Sequence, residues 1–128
     1  MKRVVAALFL LTATEAAAVE IETPSGQTLT LYDVVLEPGG GMARFLFLAP
    51  GITMEEGAGV TYTEVQDDFP WLCEEVVLPS LAANEWDAGE AVISMADREV
   101  EFGSRDAEAV QFFEVFKIDG ATCVWEGF

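Results

Sequence analysis

Histidine is absent from this 128-residue chain, and lysine and cysteine occur only twice each. Without an imidazole there is no Ser-His-Asp or Cys-His catalysis, and no simple imidazole pH switch. The usual zinc sites, 2-His-1-carboxylate iron and histidine-ligated haem are excluded for the same reason. Phosphate-cradling G-x-x-x-x-G-K-S/T and dinucleotide-binding G-x-G-x-x-G runs are also missing. Gly39-Gly40-Gly41 comes closest, but it stands between two strand-like runs and reads as a turn. Past residue 18 no apolar stretch is long enough to cross a bilayer.

What is present begins with an address. Lys2 and Arg3 precede an apolar stretch from Val4 to Leu11, and Ala16 and Ala18 occupy the small-residue positions of a signal-peptidase site. The expectation is a signal peptide over residues 1–18, cleaved to leave one domain over residues 19–128. An uncleaved anchor is the rival reading. It needs roughly 20 apolar residues, and Glu15 would be costly inside a membrane. The mature chain is then periplasmic or secreted, without membrane insertion.

Acid dominates the composition. The net charge is −17, or about −18 once Lys2, Arg3 and Glu15 are removed. Nucleic acid and anionic membrane surfaces are poor partners for such a chain, since both require a basic face. A cationic protein partner, cations or simple solubility remain open. Lys117 is the one lysine left in the mature chain. Acid excess with scarce lysine also suits a saline habitat, where external ions screen the self-repulsion. An apolar content of 52% argues against disorder.

Cys73 and Cys123 both lie in the mature chain, where export favours a disulfide and two cysteines allow one connectivity. A redox pair is the alternative, but no Cys-x-x-Cys supports it.

Gln27 to Leu36 alternates, with Leu29 and Leu31 on one face, until the phase shifts near Asp33 and predicts a bulge. Turn residues Glu37 to Gly41 and the apolar run Ala43 to Ala49 complete a hairpin whose second strand is buried on both sides. Thr63-Glu64-Val65-Gln66 fits a capping box. Val65, Phe69, Leu72, Cys73 and Val76 then fall on one helical stripe. Pro70 either kinks a helix begun at Thr63 or sits in the first turn of one capped by Asp68; either way the helix is expected to cover Trp71 to Leu78, ended or bent by Pro79. Ala91 to Ala96 and Glu99 to Phe102 read as two short strands about a tight corner. Val110 to Ile118 and Ala121 to Glu126 flank Asp119-Gly120, a strong hairpin signal. In that register Phe116 faces Cys123, and Cys73 on the helix stripe can reach it. A helix over Ala107 to Phe116 is the alternative for that stretch.

Carboxylate pairs such as Glu55-Glu56, Asp67-Asp68, Glu74-Glu75 and Asp97 with Glu99 could serve a glycosidase, but a chain this acidic contains such pairs by chance. Calcium loops would need acids alternating round a glycine turn, a spacing not supplied here. Arg98 and Arg105, with Arg44, could grip an anion, or pair with neighbours such as Asp97 or Asp106. Trp71 and Trp125 read as core. Trp86, among Asn84, Glu85 and Asp87, is the candidate exposed aromatic. The binding candidates are therefore Trp86, Arg98 and Arg105; no residue is singled out as catalytic or metal-ligating, and no cofactor is expected. Phe128 matches the end of outer-membrane barrels, but Glu126 breaks their terminal alternation.

Two segments carry a resemblance. Pro24-Ser25-Gly26-Gln27 into Leu29 to Leu36 is one, and Val100-Glu101-Phe102-Gly103 through Gln111 to Glu114 and Cys123 to Phe128 is the other, with Leu72-Cys73-Glu74 and Leu78-Pro79 between. Together they resemble an uncharacterised family of short exported alphaproteobacterial proteins. The resemblance implies a shared small domain holding this cysteine pair, and no active site. Some such proteins are labelled acetolactate synthase, an enzyme several times longer that uses a Gly-Asp-Gly motif, which does not occur here.

The expected fold is α+β: one main helix packed on an antiparallel sheet of about five or six strands. The expected function is a non-enzymatic binding or inhibitory module acting on another exported or membrane protein. A small acid-pair hydrolase or small-ligand binder is the alternative.

Overall fold

The computed structural model describes residues 19–39 and 41–127. The expected leader over residues 1–18, Gly40 of the glycine turn, and Phe128 with its barrel motif lie outside the described residues. Six strands, β1 (Val19–Glu22), β2 (Thr28–Leu36), β3 (Met42–Leu48), β4 (Glu90–Ala96), β5 (Gln111–Asp119) and β6 (Thr122–Trp125), lie side by side in chain order as a half-barrel. A helix over residues 62–83 covers one face, so the α+β expectation describes the molecule.

One pairing departs from the antiparallel pattern. β3 and β4 run parallel, with Phe45 beside Ile93 and Phe47 beside Met95, while the other neighbouring pairs are antiparallel. Parallel neighbours cannot be joined by a hairpin and need a crossover of a dozen or more residues. The chain between Leu48 and Glu90 is that crossover, and it carries the helix. The register puts Ala43, Phe45, Phe47, Ala91, Ile93, Met95, Phe112 and Phe116 on the helix side, all buried. Against them the helix sets Val65, Phe69, Leu72, Cys73, Val77 and Leu81.

The bulge expected near Asp33 is present: Leu31 pairs with Phe47 and Asp33 with Leu46, leaving Tyr32 as the extra residue. The Tyr32 hydroxyl donates to the Val100 carbonyl at 3.0 Å and accepts from the Val100 N–H at 3.1 Å. This anchor explains why Glu99 to Phe102 is not a strand. Both long edges of β4 are already taken by β3 and β5, so residues 97–110 instead arch under the sheet. Asp97 closes the base of the arch by backbone and side-chain bonds to Val110.

The helical layer begins at Tyr62, beside the Thr63 start, and runs past Pro79 to Ala83. Its cap is Thr61, whose N–H and hydroxyl both donate to the Glu64 carboxylate, two residues upstream of the expected box. Short α-helices α1 (Tyr62–Val65), α2 (Asp68–Leu72) and α3 (Leu78–Ala83) are joined by turn residues and by a π-helical segment over Cys73–Val77. The buried positions Phe69, Cys73, Val77 and Leu81 recur every fourth residue. In a pure α-helix each such step would rotate the stripe about 40° past a full turn. The wider π turn absorbs that drift, which is why Val77 rather than Val76 is fully buried. It also lets Pro79 pass, since a shifted ladder relieves the proline's missing donor and its clash with the preceding turn. The helix stops in a Schellman arrangement, with the Trp86 N–H on the Leu81 carbonyl at 2.9 Å and Glu85 at φ 54°. Glutamate at that left-handed position gave no glycine signal in the sequence.

The final hairpin turns one residue later than expected, with Gly120 and Ala121 at its tip and Gly120 at φ 63°. Cys123 therefore sits opposite Ile118, and Trp125 opposite Phe116. The shift moves each partner by two residues, so the face is unchanged. Cys73 and Cys123 are bridged, with S–S 2.03 Å and Cα–Cα 6.2 Å. Beside the bridge, the Cys123 N–H donates to the Glu74 carboxylate at 3.2 Å. At the opposite edge the buried Asp68 carboxylate accepts from the Ser25 N–H at 3.1 Å and its hydroxyl at 2.5 Å.

Replacing both cysteines by serine frees a loop spanning 50 residues, and should lower unfolding free energy by up to about 4 kcal/mol. The check is the urea midpoint, with reduced wild type matching the variant. Asp68→Ala, which strips Ser25 of its acceptor, should cost about 1–3 kcal/mol, read as a lower melting temperature.

Candidate functional site

The sheet has two unlike faces, and each offers a site. On the helix side, Phe112, Glu114 and Phe116 project in phase, which places a carboxylate between two core phenylalanines. Glu114 is only 9% exposed. Tyr62, the first residue of α1, donates its hydroxyl to Glu114 Oε2. Trp125, at the end of β6, donates its indole N–H to Glu114 Oε1 at 2.5 Å. The Tyr62 hydrogen bond to Glu114, with burial and the charge of Glu114, pushes the Tyr62 phenol up to about 12. Tyr62 also meets Phe112 edge-on at 5.7 Å between ring centres. The three side chains line a cleft of about 430 Å³ that also takes in Gln66, Asp67, Phe69, Pro70 and Phe116. Trp125 was expected in the core, but it ends the edge strand β6, borders the cleft it shares with Tyr62, Phe69 and Pro70, and is 59% exposed.

The opposite face carries no helix. Met42, Leu46, Val92, Phe113 and Val115 share it with Arg44, Ser94 and Gln111, and the arch from Val100 to Ser104 forms the far wall. The cleft between them is about 640 Å³. Phe113 and Phe102 are 59% and 49% exposed. Arg44 pairs with Glu37 at 2.9 Å and lies over the Phe102 ring at 5.2 Å.

The three binding candidates from the sequence do not converge. Trp86 is half-buried against the core rather than exposed, its indole N–H without a hydrogen-bond partner among the described residues. It precedes β4, whereas Arg98 and Arg105 follow it, so the length of that strand, about 20 Å, intervenes. Arg98 binds Asp97 at 3.2 Å and approaches Glu108 at 3.9 Å; its guanidinium holds the Asp97 carboxyl below the usual range. Arg105 is exposed on the arch. Among acid pairs, Glu126 shares a hydrogen bond with Glu90 that raises its carboxyl above the ordinary value. Neither lines the open-face cleft. Among the described residues no cluster of three acids or cysteines is placed to hold a metal, and no helix is long and apolar enough to cross a membrane.

Residues 6–128 match the Family of unknown function (DUF6497). The chain belongs to that family. An uncharacterised family is what the resemblance implied. No curated protein and no solved structure matches the chain. Members of the family can thus be compared at Glu114, Tyr62, Trp125 and the cysteine pair, positions that only the fold brings together.

Reading the sequence for sites overlooked Glu114, although an acid in phase with Phe112 and Phe116 was its signal. It overlooked the open-face cleft because nothing local says which face a distant helix will cover.

The phenol of Tyr62 stays protonated in the folded state to about pH 12, against 10.0 for the ordinary group. Its contribution is therefore whole below pH 10 and lost as pH rises from 10 towards 12. Tyr62→Phe should flatten the alkaline limb of a stability-versus-pH curve in that window, and remove the latest phenolate transition in an absorbance titration.

Proposed function

We propose that this is an exported, disulfide-stabilised, acidic periplasmic or secreted protein. It acts without catalysis as a binding or inhibitory module on a cationic exported or membrane protein. Its leader would be cleaved, and its kin would be other exported alphaproteobacterial proteins. The observation that carries the reading is a segregation of charge. From residue 45 to 97 the chain has no lysine or arginine and eleven acids. That stretch includes the whole helical layer. Arg44 and Lys117 lie on the face away from the helix, and Arg98 and Arg105 belong to the arch on that side. One side of the molecule therefore presents an unbroken negative field, which steers a positive partner and repels a second copy of itself.

Glu56 and Glu75 are exposed on this side and make no side-chain hydrogen bond or ion pair among the described residues. Replacing both by lysine should weaken capture of a periplasmic partner several-fold, most steeply at low salt. Retention that ignores both salt and charge reversal overturns the reading.

The open-face cleft favours a second reading, a binder of small apolar molecules, since contiguous exposed apolar surface is uncommon in monomers. A fluorescent apolar probe that binds wild type but not Phe113→Asp would support it.

A further inference from the structure

We infer that the cleft around Glu114 receives one cationic side chain, lysine or arginine, from the protein partner. The inference rests on the cationic-partner reading for the source of the cation, but its geometry is independent of it. Buried carboxylates in proteins are ordinarily paired with a cation or a metal. Glu114 has no ion-pair partner among the described residues. Nor do the basic residues among the described residues supply one, because Arg44 and Lys117 lie on the other side of the sheet and Arg98 and Arg105 belong to the arch. A carboxylate offers about four acceptor positions, and Tyr62 and Trp125 occupy two of them.

The walls suit a cation as well. Tyr62 and Trp125 present aromatic surface beside the carboxylate, above the buried rings of Phe69 and Phe116, and Asp67 adds a second charge. Aromatic faces attract ammonium and guanidinium groups, most strongly where water is displaced. A phenol raised to about 12 keeps Tyr62 a donor at any physiological pH, so it holds the carboxylate in place rather than competing with it. A buried anion, two fixed donors and an aromatic cage together form a receptor for one positive group.

The test uses the intact mature protein with N-acetyl-arginine methylamide and N-acetyl-lysine methylamide as probes, followed by the Trp125 indole N–H resonance. Saturable perturbation of that resonance is expected, with affinity falling about tenfold or more in Glu114→Gln, which keeps shape and one acceptor. Asp67→Asn, distant from the core packing, should give a smaller loss. Unchanged binding in Glu114→Gln, or no perturbation at saturating probe, overturns the inference. Spermidine serves as the second arm: binding of spermidine without either amide assigns the cleft to a free polyamine and overturns the partner side chain. If Glu114→Gln captures the partner like wild type while the Glu56 and Glu75 reversal does not, the cleft fails and the partner reading stands.

Discussion

The parallel pairing of β3 with β4 is the constraint on which the rest of the molecule depends. It forces residues between Leu48 and Glu90 to cross over, and a crossover that carries a helix can cover only one face of the sheet. Phe45, Phe47, Ile93 and Met95 lie at the centre of that covered face and meet Phe69, Leu72, Cys73 and Val77 from the helix. The other face keeps its apolar residues, with only the arch of residues 97–110 beneath it. A sheet with one dry face and one half-covered face follows from this single pairing.

Edge ties then hold the helical layer in register. Asp68 fastens the start of α2 to the turn between β1 and β2 through Ser25. The Cys73–Cys123 bridge and the Glu74 contact fasten the π segment to β6. Glu114 joins the first helical residue, Tyr62, to the last strand residue, Trp125. The ties at both edges use acids as acceptors for backbone or side-chain donors. In a chain with few cations, carboxylates do structural work that ion pairs do elsewhere, and most of those that remain face solvent as a uniform field. The same economy of basic residues leaves Glu114 without a cation beside it among the described residues.

Much of the fold was legible in local pattern. The phase break at Asp33, the turn after Leu36, the stripe from Val65 to Cys73 and the shared face of Phe112, Phe116, Cys123 and Trp125 all come from periodicity. The errors arose where tertiary context outweighed local preference. Glu99 to Phe102 has strand-like residues but no free edge to join. Pro79 looks like a helix end, yet the π turn before it removes the clash. Glu85 stands at the left-handed helix terminus where glycine would have announced it. Trp86 is half-buried because the helix stops beside it, while Trp125 is exposed at the end of an edge strand.

By itself the sequence determined an acidic α+β fold, its disulfide partners, its strand phases and the chemistries closed to a protein without histidine. Those properties depend on composition and on spacing along the chain, which are local quantities. Tertiary structure alone decided the parallel pair, the gathering of Tyr62, Glu114 and Trp125, the uncovered apolar face and the side on which the described basic residues fall. Each of these is a relation between residues far apart in the chain. Such relations are set by which sheet face the crossover covers, a choice made by packing the whole core at once.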